Sequence, residues 1–531
     1  MVLKVEMIPI RIYVHKDDLN RLLYELGRLE ALHLIDTHKT LKEYGGTVEF
    51  VEPSEELFRI SPLISRVKSL LSALNVEVEE REASGLPLTE SLPSLLDRVE
   101  KKVGNLEEEV TRIREDLAEL EKRMAEGESL LEDAERLKGR LNRLAEEEGD
   151  ELNELLSVLN ALKAMKEAEG LAAKTRSVYI IDGWTTRARF EEVSECVKRC
   201  GGYPSEIPNV GERPPVVMRN PYPFNIFEPL VRALGLPGYG EIDPTAMFLI
   251  TFPLLFGLAF GDLGHGMLLL IIALLLRYVS RRSKGEAGGI VGVILGSSTI
   301  LLILSLSAML FGFLYGEFFG SEEWFEVLTG LHEPPWFSPS KEPMKLFKYC
   351  IVVAILHISM GLILDLINKV STRRFKDALT GPVVWLWLYW SGSYLVLTYG
   401  WDVFKLILEP TVVVPFLILP LTVMVVGRAF IHGGEGFGHS LESFIESMSH
   451  TISYVRILAL NMIHGAFSKM LLPKDAVGVL PFVLGTLFLI MGIELLLSFL
   501  HVLRLHWVEW FTKFYSGTGI EYKPFTLKGR T

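Results

Sequence analysis

The sequence predicts an α-helical, polytopic membrane domain joined to a soluble α/β arm that carries a long antiparallel coiled coil. Three observations predict this fold class. The first 240 or so residues are rich in charge, an apolar seam with heptad spacing runs through that part, and long apolar blocks dominate from Ile242 onward. We therefore expect two domains, with residues 1–240 as a soluble cytoplasmic arm and residues 241–531 as a transmembrane domain.

Composition excludes several classes of function. The chain has a formal net charge of −12, and no basic patch is large enough to follow a phosphate backbone, so we expect no nucleic-acid partner. Cys196, Cys200 and Cys350 are too few for a disulfide framework and lack a nearby histidine, so we expect free thiols, no metal site and no cofactor. The N-terminal stretch MVLKVEMIPIRIYV lacks the apolar core of a signal peptide, which predicts a cytoplasmic arm.

Two α/β patterns flank the helical part of the arm. Residues 4–14 alternate like a strand, residues 16–30 form an amphipathic helix pattern, and residues 31–36 resemble a returning strand. Residues 177–182 are a β-branched run, residues 190–200 have a helical pattern, and a short segment ends near Ile207. These patterns predict one small α/β module, or two, split in sequence.

The clearest periodic signal is an apolar seam that steps by alternating fours and threes over about four heptads, as in a coiled coil. The seam comprises Leu92, Leu96, Val99, Val103, Leu106, Val110, Ile113, Leu117, Leu120 and Met124. Gly127, Gly139 and the EEEGDE stretch are candidate bends, and residues 55–76 are expected to supply an antiparallel partner helix. The seam fits a helix packed on its own chain and also a stalk that contacts other subunits, and its length favours the stalk.

Seven apolar blocks follow, and most exceed the ~20 residues that span a bilayer core of ~30 Å. They cover residues 244–279, 289–319, 346–368, 381–400, 411–431, 440–472 and 480–512. The gaps after the first and third blocks are basic and are predicted to be cytoplasmic, whereas the gap over residues 320–345 is acidic and is predicted to be external.

The first block has to cross the membrane twice if the arm and the basic gap that follows it are both cytoplasmic. Gly261, Gly264 and Gly266 can break it into two short helices, and we expect Asp262 and His265 to stabilise that broken turn. We therefore predict about eight spans with both termini in the cytoplasm. The alternative is one long tilted helix and seven spans.

Two blocks contain an unusual number of ionisable side chains. Each block has about 33 residues, which is roughly 50 Å as a helix, so each helix must tilt strongly or protrude from the bilayer. The sixth block contains Glu442, Glu446, His450, Arg456 and His464, and the last contains Glu494, His501, Arg504, His506 and Glu509. Ionisable groups within a membrane indicate function by default.

Structural interpretations remain open for several of these residues. An ion pair between neighbouring helices would also explain Arg456 and Glu494, and His464 fits a satisfied core histidine equally well. A position at the cytoplasmic lipid headgroups is expected for His506, Glu509 and Lys513.

The predicted helix directions order the charged groups by depth. Glu442 and Glu446 lie on the cytoplasmic side of Arg456, His464 lies on its external side, and Glu494 lies external to Arg504. Acidic groups on both sides of a fixed cation describe two offset half-channels. Because arginine is not deprotonated in proteins, it blocks a direct proton path between them.

The stretch SHTISYVRILALNMIHGAFS resembles the seventh transmembrane helix of the membrane subunit a, also called subunit I, of V/A-type rotary ATPases. The stretch GIELLLSFLHVLRLHWVEWFTKFYSGTGIEYKPF is similar to the last helix and tail of that family, and FPLLFGLAFGDLGHG is similar to its first membrane turn. The similarity covers essentially the whole chain.

The resemblance implies a role for each matching residue. Arg456 matches the essential stator arginine and Arg504 its supporting neighbour, Glu494 and His464 match the external half-channel, and Glu442 matches the cytoplasmic one. Glu446 stands where other members can carry a neutral polar residue.

The resemblance further implies a stator in the cell membrane that couples H⁺ or Na⁺ translocation to ATP hydrolysis or synthesis. In such a stator, residues 1–240 would bind the peripheral stalk and residues 241–531 would form the ion-translocation domain. The implied partners are a rotating proteolipid ring, peripheral-stalk subunits of E and G type, a central-stalk subunit of d/C type and the lipid bilayer. The sequence contains no G-x-x-x-x-G-K-[ST] loop, so ATP chemistry is expected on a partner.

Two other classes of function remain as alternatives. A secondary ion transporter would need internal repeats and a midplane substrate site. A membrane-anchored coiled-coil scaffold would need no buried arginine or glutamate.

Overall fold

The structure of the protein, a computed structural model, describes residues 5–37, 49–51, 55–78, 92–125, 131–207, 213–282, 292, 295–400, 409–473 and 475–528. The chain forms two compact units. The α/β unit comprises Val5–Val217 and returns at Ile520–Thr531, and the helical unit comprises Met218–Gly519. The assignment of residues 1–240 and 241–531 to stalk binding and ion translocation concerns function and stays a prediction.

The α/β unit contains a mixed set of strands and helices. The strands are β1 Met7–His15, β2 His33–Ile35, β3 Glu49–Phe50, β4 Ala173–Lys174, β5 Val178–Thr186 and β6 Tyr203–Glu206. The helices are α1 Leu19–Leu29, α2 Glu55–Ala73, α3 Leu92–Ala125, α4 Leu131–Gly170 and α5 Phe190–Arg199. The strand–helix–strand patterns predicted on both sides of the helical part are therefore confirmed.

All the strands belong to one sheet, so the two flanking patterns form one module. The sheet order is β3-β4-β5-β1-β6, and β2 pairs with β5 as well. The long pairing of β1 with β5 is antiparallel and runs from Met7 opposite Thr186 to His15 opposite Val178. Alternate residues of β1 are buried against α1 and α5, as the period of two in the sequence requires.

An ion pair joins the two central strands of this sheet. Arg11 lies directly opposite Asp182, and its Nε and Nη2 donate to the two carboxylate oxygens at 2.7 Å each. Asp182 is fully buried, and its hydrogen bonds raise the pKa of Arg11. Cys196, Cys200 and Cys350 are free thiols, as predicted, and burial raises the pKa of the Cys196 thiol to about 11.

The helical part of the arm packs α2, α3 and α4 around the predicted seam. The seam residues of α3 are buried from Leu96 to Ile113, whereas Leu92, Leu117, Leu120 and Met124 are half-buried. α4 runs antiparallel to α3, because Lys102 contacts Glu148 at 2.9 Å and Arg140 contacts Glu109 at 2.8 Å. The coiled-coil stalk itself stays a prediction.

The prediction of an antiparallel partner in residues 55–76 is wrong. Arg59 contacts Glu100 at 3.0 Å, Arg66 contacts Glu107 at 2.5 Å, and Arg114 donates to the Ala73 carbonyl at 2.6 Å. The contacts advance in the same direction along both helices, so α2 runs parallel to α3. A heptad period determines which residues face a partner, but it is the same for both directions.

Two of the predicted bends are also wrong. Gly139 and the EEEGDE stretch both lie inside the uninterrupted helix α4, and Gly127 lies outside the described residues. Gly149 allows close packing, since a Cβ there would lie 3.2 Å from Val76 Cγ2 of the neighbouring chain segment, a tight contact. A glycine inside a helix costs about 1 kcal/mol relative to alanine, which the packing around α4 offsets.

The C-terminal segment packs on the first helix of the α/β unit. The backbone N–H of Phe525 donates to the Leu32 carbonyl at 2.7 Å, and the Tyr522 hydroxyl donates to the Ala31 carbonyl at 2.6 Å. The Thr526 hydroxyl donates to Glu30 at 2.8 Å, which lowers the pKa of that carboxyl. The chain therefore connects the two units covalently at two places, near residue 217 and near residue 519.

The helical unit is built from the predicted apolar blocks. Its helices are α6 Glu228–Arg232, α7 Thr245–Phe260, α8 Leu263–Arg282, α9 Ser298–Tyr315, α10 Glu322–Thr329, α11 Pro343–Ser371, α12 Phe375–Ala378, α13 Val384–Tyr399, α14 Pro410–Val413, α15 Leu419–His432, α16 Gly434–Ser453, α17 Val455–Leu471, α18 Val479–Gly485 and α19 Leu495–Arg504. π-Helical segments at Val414–Ile418, Thr486–Glu494 and Leu505–Trp510 join successive helices into longer runs.

The break predicted in the first apolar block is confirmed. α7 ends at Phe260 and α8 begins at Leu263, with both helices packed against α9. The sixth block forms α16 and α17, which meet at Tyr454, and the last block is helical from Val479 to Lys513.

The described residues contain helical runs that fit a helical membrane protein. By length and apolar composition, 5 of them can cross a membrane, namely Leu263–Arg282, Ser298–Tyr315, Pro343–Ser371, Pro410–Ile431 and Val479–Lys513. Thr245–Phe260 is apolar but shorter. The count of about eight spans and the cytoplasmic placement of both termini stay predictions.

The buried ion pair of the sheet gives a test of the arm. Asp182→Asn leaves the Arg11 guanidinium in a largely buried position without its counter-charge, so we expect the arm to lose about 3 kcal/mol of unfolding free energy. Resistance of the arm to proteolysis in a urea titration measures this loss. The double variant Arg11→Met with Asp182→Leu is the control, because two apolar side chains leave no buried charge, and it should resist proteolysis better than Asp182→Asn. The reverse order would contradict the assigned role of the pair.

Candidate functional site

A histidine and a carboxylate from two different helices meet inside the helical unit. His464 is on α17, and Glu494 is the last residue of the π-helical segment Thr486–Glu494. The His464 Nδ1 lies 2.8 Å from Glu494 Oε1, and the side chains are 1% and 3% exposed. An ionised carboxylate only accepts hydrogen bonds, so Nδ1 donates to Glu494.

The break between α7 and α8 places a third ionisable group beside this pair. Asp262 is fully buried and accepts the backbone N–H groups of His265, Phe319 and Gly320 at 2.8, 3.0 and 2.6 Å. The predicted role of Asp262 in stabilising the broken turn is therefore confirmed. The same carboxylate lies 4.0 Å from His464 Nε2, so the turn also contributes to the charged cluster.

The cluster continues toward the segment before α11. Glu317 is 2% exposed, its backbone carbonyl accepts from Leu263 N at 3.0 Å, and its Oε1 accepts from the Ser340 hydroxyl at 2.9 Å. Ser340 is half-buried in the gap that the sequence predicts to be external. Sequence analysis missed Glu317, although an acidic residue close to the end of an apolar block is a recognisable signal.

Arg456 lies in the first turn of α17 with a half-buried side chain. Its Nη1 is buried and has no hydrogen-bond partner among the described residues. The charged side chains that act on it electrostatically are Arg504 and Glu509. The alternative of an ion pair with Glu494 is not supported, because Glu494 contacts His464 and no salt bridge joins it to Arg456 within the described part of the chain.

Glu509 is a residue whose place the sequence did not predict. It lies in the π-helical segment Leu505–Trp510, is 1% exposed and interacts with both Arg456 and Arg504. His506 in the same segment is fully buried, with Nε2 2.9 Å from the Thr251 hydroxyl. Both side chains lie inside the helix bundle, and their expected depth at the cytoplasmic lipid headgroups stays a prediction. The extra residue of a π turn shifts side chains to a new face, which a period of 3.6 does not reveal.

The other predicted site residues lie at the surface of the unit. Glu442, Glu446 and Arg504 are exposed. Glu446 approaches the largely buried Lys513 with an oxygen–nitrogen distance of 3.7 Å. The structure thus brings together His464 and Glu494, places Arg456 near Arg504, and leaves Glu442 and Glu446 apart from the buried cluster.

The fold and these side chains define a class: a helical membrane protein with an α/β arm that keeps several ionisable groups inside apolar helices. The family model of the V-type ATPase 116kDa subunit family matches residues 88–327 and 429–527, which is more than half of the chain. The chain belongs to this family. Both matched ranges contain members of the buried cluster.

Curated relatives agree with this assignment. The A-type ATP synthase subunit I of Pyrococcus horikoshii is 25% identical over 490 residues, 87% of this chain and 67% of the relative. The corresponding subunit of Thermococcus kodakarensis is 27% identical over 384 residues, 67% of this chain and 55% of the relative. The vacuolar proton translocating ATPase 100 kDa subunit of Dictyostelium discoideum is 24% identical over 477 residues, 66% of this chain and 58% of the relative. The matches thus span about half to two thirds of the length of these relatives.

The hydrogen bonds of Asp262 give a test of the turn. Asp262→Ala leaves three buried backbone N–H groups without an acceptor, and each unsatisfied donor costs about 1–3 kcal/mol. We expect this variant, purified in detergent, to have a lower melting temperature than the unchanged protein. Intrinsic fluorescence during heating measures the melting temperature. Asp262→Asn keeps one acceptor oxygen, so its melting temperature should lie between those of Asp262→Ala and the unchanged protein. A melting temperature of Asp262→Ala equal to that of the unchanged protein would contradict the assigned role.

Proposed function

We propose that the chain is the membrane stator of a V/A-type rotary ATPase and forms two offset half-channels for H⁺ or Na⁺ against a rotating ring of proteolipid subunits. In this role it couples ion translocation to ATP hydrolysis or synthesis. Membership of the V-type ATPase 116kDa subunit family supports a place in a rotary complex. The single observation that carries the mechanism is the guanidinium of Arg456, whose buried Nη1 lacks a partner among the described residues.

An unsatisfied buried cation is unfavourable unless a partner outside the chain completes its contacts. A carboxylate on a ring subunit is such a partner. The protonated carboxyl is neutral and can face lipid, but beside Arg456 its ionised form is favoured and its ion is released. Because arginine keeps its proton, the ion cannot pass through it from one half-channel to the other.

The pair of His464 and Glu494 is the proposed external half-channel. The two side chains lie in hydrogen-bond contact within the bundle, and imidazole and carboxyl groups, unlike arginine, can each release and take up a proton. Glu442 is the proposed entrance of the cytoplasmic half-channel, which agrees with its exposed side chain. Glu446 has a lesser role there, since its carboxylate interacts with Lys513.

The remaining parts of the proposal follow from the family. ATP is bound and hydrolysed on partner subunits, and residues 1–240 form the arm that binds peripheral-stalk subunits of E and G type and the central-stalk subunit of d/C type. Residues 241–531 translocate the ion within the cell membrane, and both the arm and the C-terminus face the cytoplasm.

Arg456→Ala removes the fixed cation. We measure ATP-driven ion uptake by proteoliposomes that contain the assembled complex, and we expect the rate to fall by roughly 100-fold or more, the typical effect of losing a preorganised charge. Assembly should persist, because the buried Nη1 makes no hydrogen bond within the described chain.

Lys469→Ala is the matched control, because it removes an exposed cation from the same helix and should leave uptake nearly unchanged. Coupled uptake at the normal rate by Arg456→Ala would refute the mechanism.

Glu494→Gln tests the external half-channel. The amide can still accept a hydrogen bond from His464 but cannot take up a proton at neutral pH, so we expect uptake to slow by about tenfold, less than for Arg456→Ala. A melting curve of the complex checks that the fold is kept. An undiminished rate would show that Glu494 has only a structural role.

A further inference from the structure

Asp262, His265 and His464 form a compact group of potential metal ligands in the helical unit. One ligand atom from each residue lies within 4.8 Å of the others, and all three residues are buried. The Asp262 Oδ1 lies 3.1 Å from His265 Nδ1, and the two imidazole rings are perpendicular with centroids 5.0 Å apart. Zinc bound by histidine and carboxylate has bond lengths of about 2.0–2.2 Å, so small side-chain shifts would bring the three atoms onto one ion.

Unused ligand atoms point independently to a ligand. Both ring nitrogens of His265 are buried and lack a hydrogen-bond partner among the described residues, although the side chain is 0% exposed. His464 Nε2 is in the same state. The Asp262 carboxylate, 3.1 Å from Nδ1, is the polar contact of the His265 ring, and a buried imidazole nitrogen without a hydrogen bond is costly. Coordination of a metal ion would satisfy both histidines at once.

The neighbouring carboxylate prepares His464 as a ligand. Glu494 accepts a hydrogen bond from Nδ1 at 2.8 Å, and this contact orients Nε2 toward Asp262, 4.0 Å away. A carboxylate that orients a metal-bound histidine in this way is a common feature of zinc sites. The carboxyl groups of Asp262 and Glu494 lie on either side of His464, which favours a cation at this place.

We propose that Asp262, His265 and His464 form a binding site for a divalent transition-metal ion, with Zn²⁺ as the best match. Two imidazoles and one carboxylate suit Zn²⁺, and three protein ligands leave a fourth position for water. Glu317 and the half-buried Ser340 provide a polar route to the site. Because His464 belongs to the proposed external half-channel, a bound ion would block proton exchange there, and this consequence rests on the proposed function.

The test uses the intact, detergent-purified complex, stripped of metal with a chelator, exposed to ZnCl₂ and freed of excess ion by gel filtration. Elemental analysis should find one more Zn²⁺ per copy of this chain in the unchanged complex than in a His265→Phe complex. Phenylalanine fills the space beside Phe319 without offering a ligand atom. Equal zinc contents would overturn the proposal. If His265→Phe does not assemble, His265→Gln is compared by the same criterion.

The second arm measures ATP-driven uptake in proteoliposomes at increasing Zn²⁺. His265→Phe should pump at the normal rate without zinc and need at least about tenfold more zinc for half-inhibition, the usual scale for losing a ligand contact. The unchanged and His265→Phe complexes could differ in zinc content and still be inhibited by the same zinc concentration. That result would overturn the blocking role but not the site. The zinc content is measured without ATP turnover, so a failure of the proposed rotary function would not affect that first measurement.

Discussion

The energetic penalty of placing a charged guanidinium among apolar helices is the constraint on which the helical unit depends. Arg456 cannot lose its proton, so it must be solvated, paired or completed by another chain. Arg504 adds a like charge nearby, and Glu509 from the same helical run supplies a buried opposite charge. The protein therefore stabilises the cation only in part, and this is the basis of the proposed contact with a ring subunit.

The broken turn at Asp262 has a structural and an electrostatic role. Three backbone N–H groups converge on this carboxylate, and they join α8 to the loop after α9. The turn thereby places a buried negative charge beside His464, which in turn contacts Glu494. A short segment between two apolar helices thus determines both the path of the chain and the charge around the proposed half-channel.

Much of the fold follows from local patterns in the sequence. Period-two alternation predicted the strands of the arm, and the glycines after Phe260 predicted the break in the first apolar block, because these features depend on neighbouring residues alone. The direction of α2 was not predictable, since a heptad seam is the same for parallel and antiparallel partners. Gly149 resembled a bend and is a packing contact with Val76, which depends on a distant part of the chain.

The candidate site was predictable in its residue types but not in its contacts. Arg456, His464 and Glu494 were recognisable as ionisable groups in apolar blocks. The contact between His464 and Glu494 depends on how two helices pack, and the burial of Glu509 depends on a π-helical segment that the sequence does not reveal. Asp262 was expected only as a turn residue, and its proximity to His464 needs the three-dimensional structure.

A structure of the assembled complex in a lipid bilayer tests the central claim most directly, through the position of the Arg456 guanidinium. We predict that the guanidinium lies within the apolar core of the bilayer and faces an acidic side chain of a separate, ring-forming subunit. A guanidinium at the lipid headgroups, or one that other side chains separate from every neighbouring subunit, would contradict it.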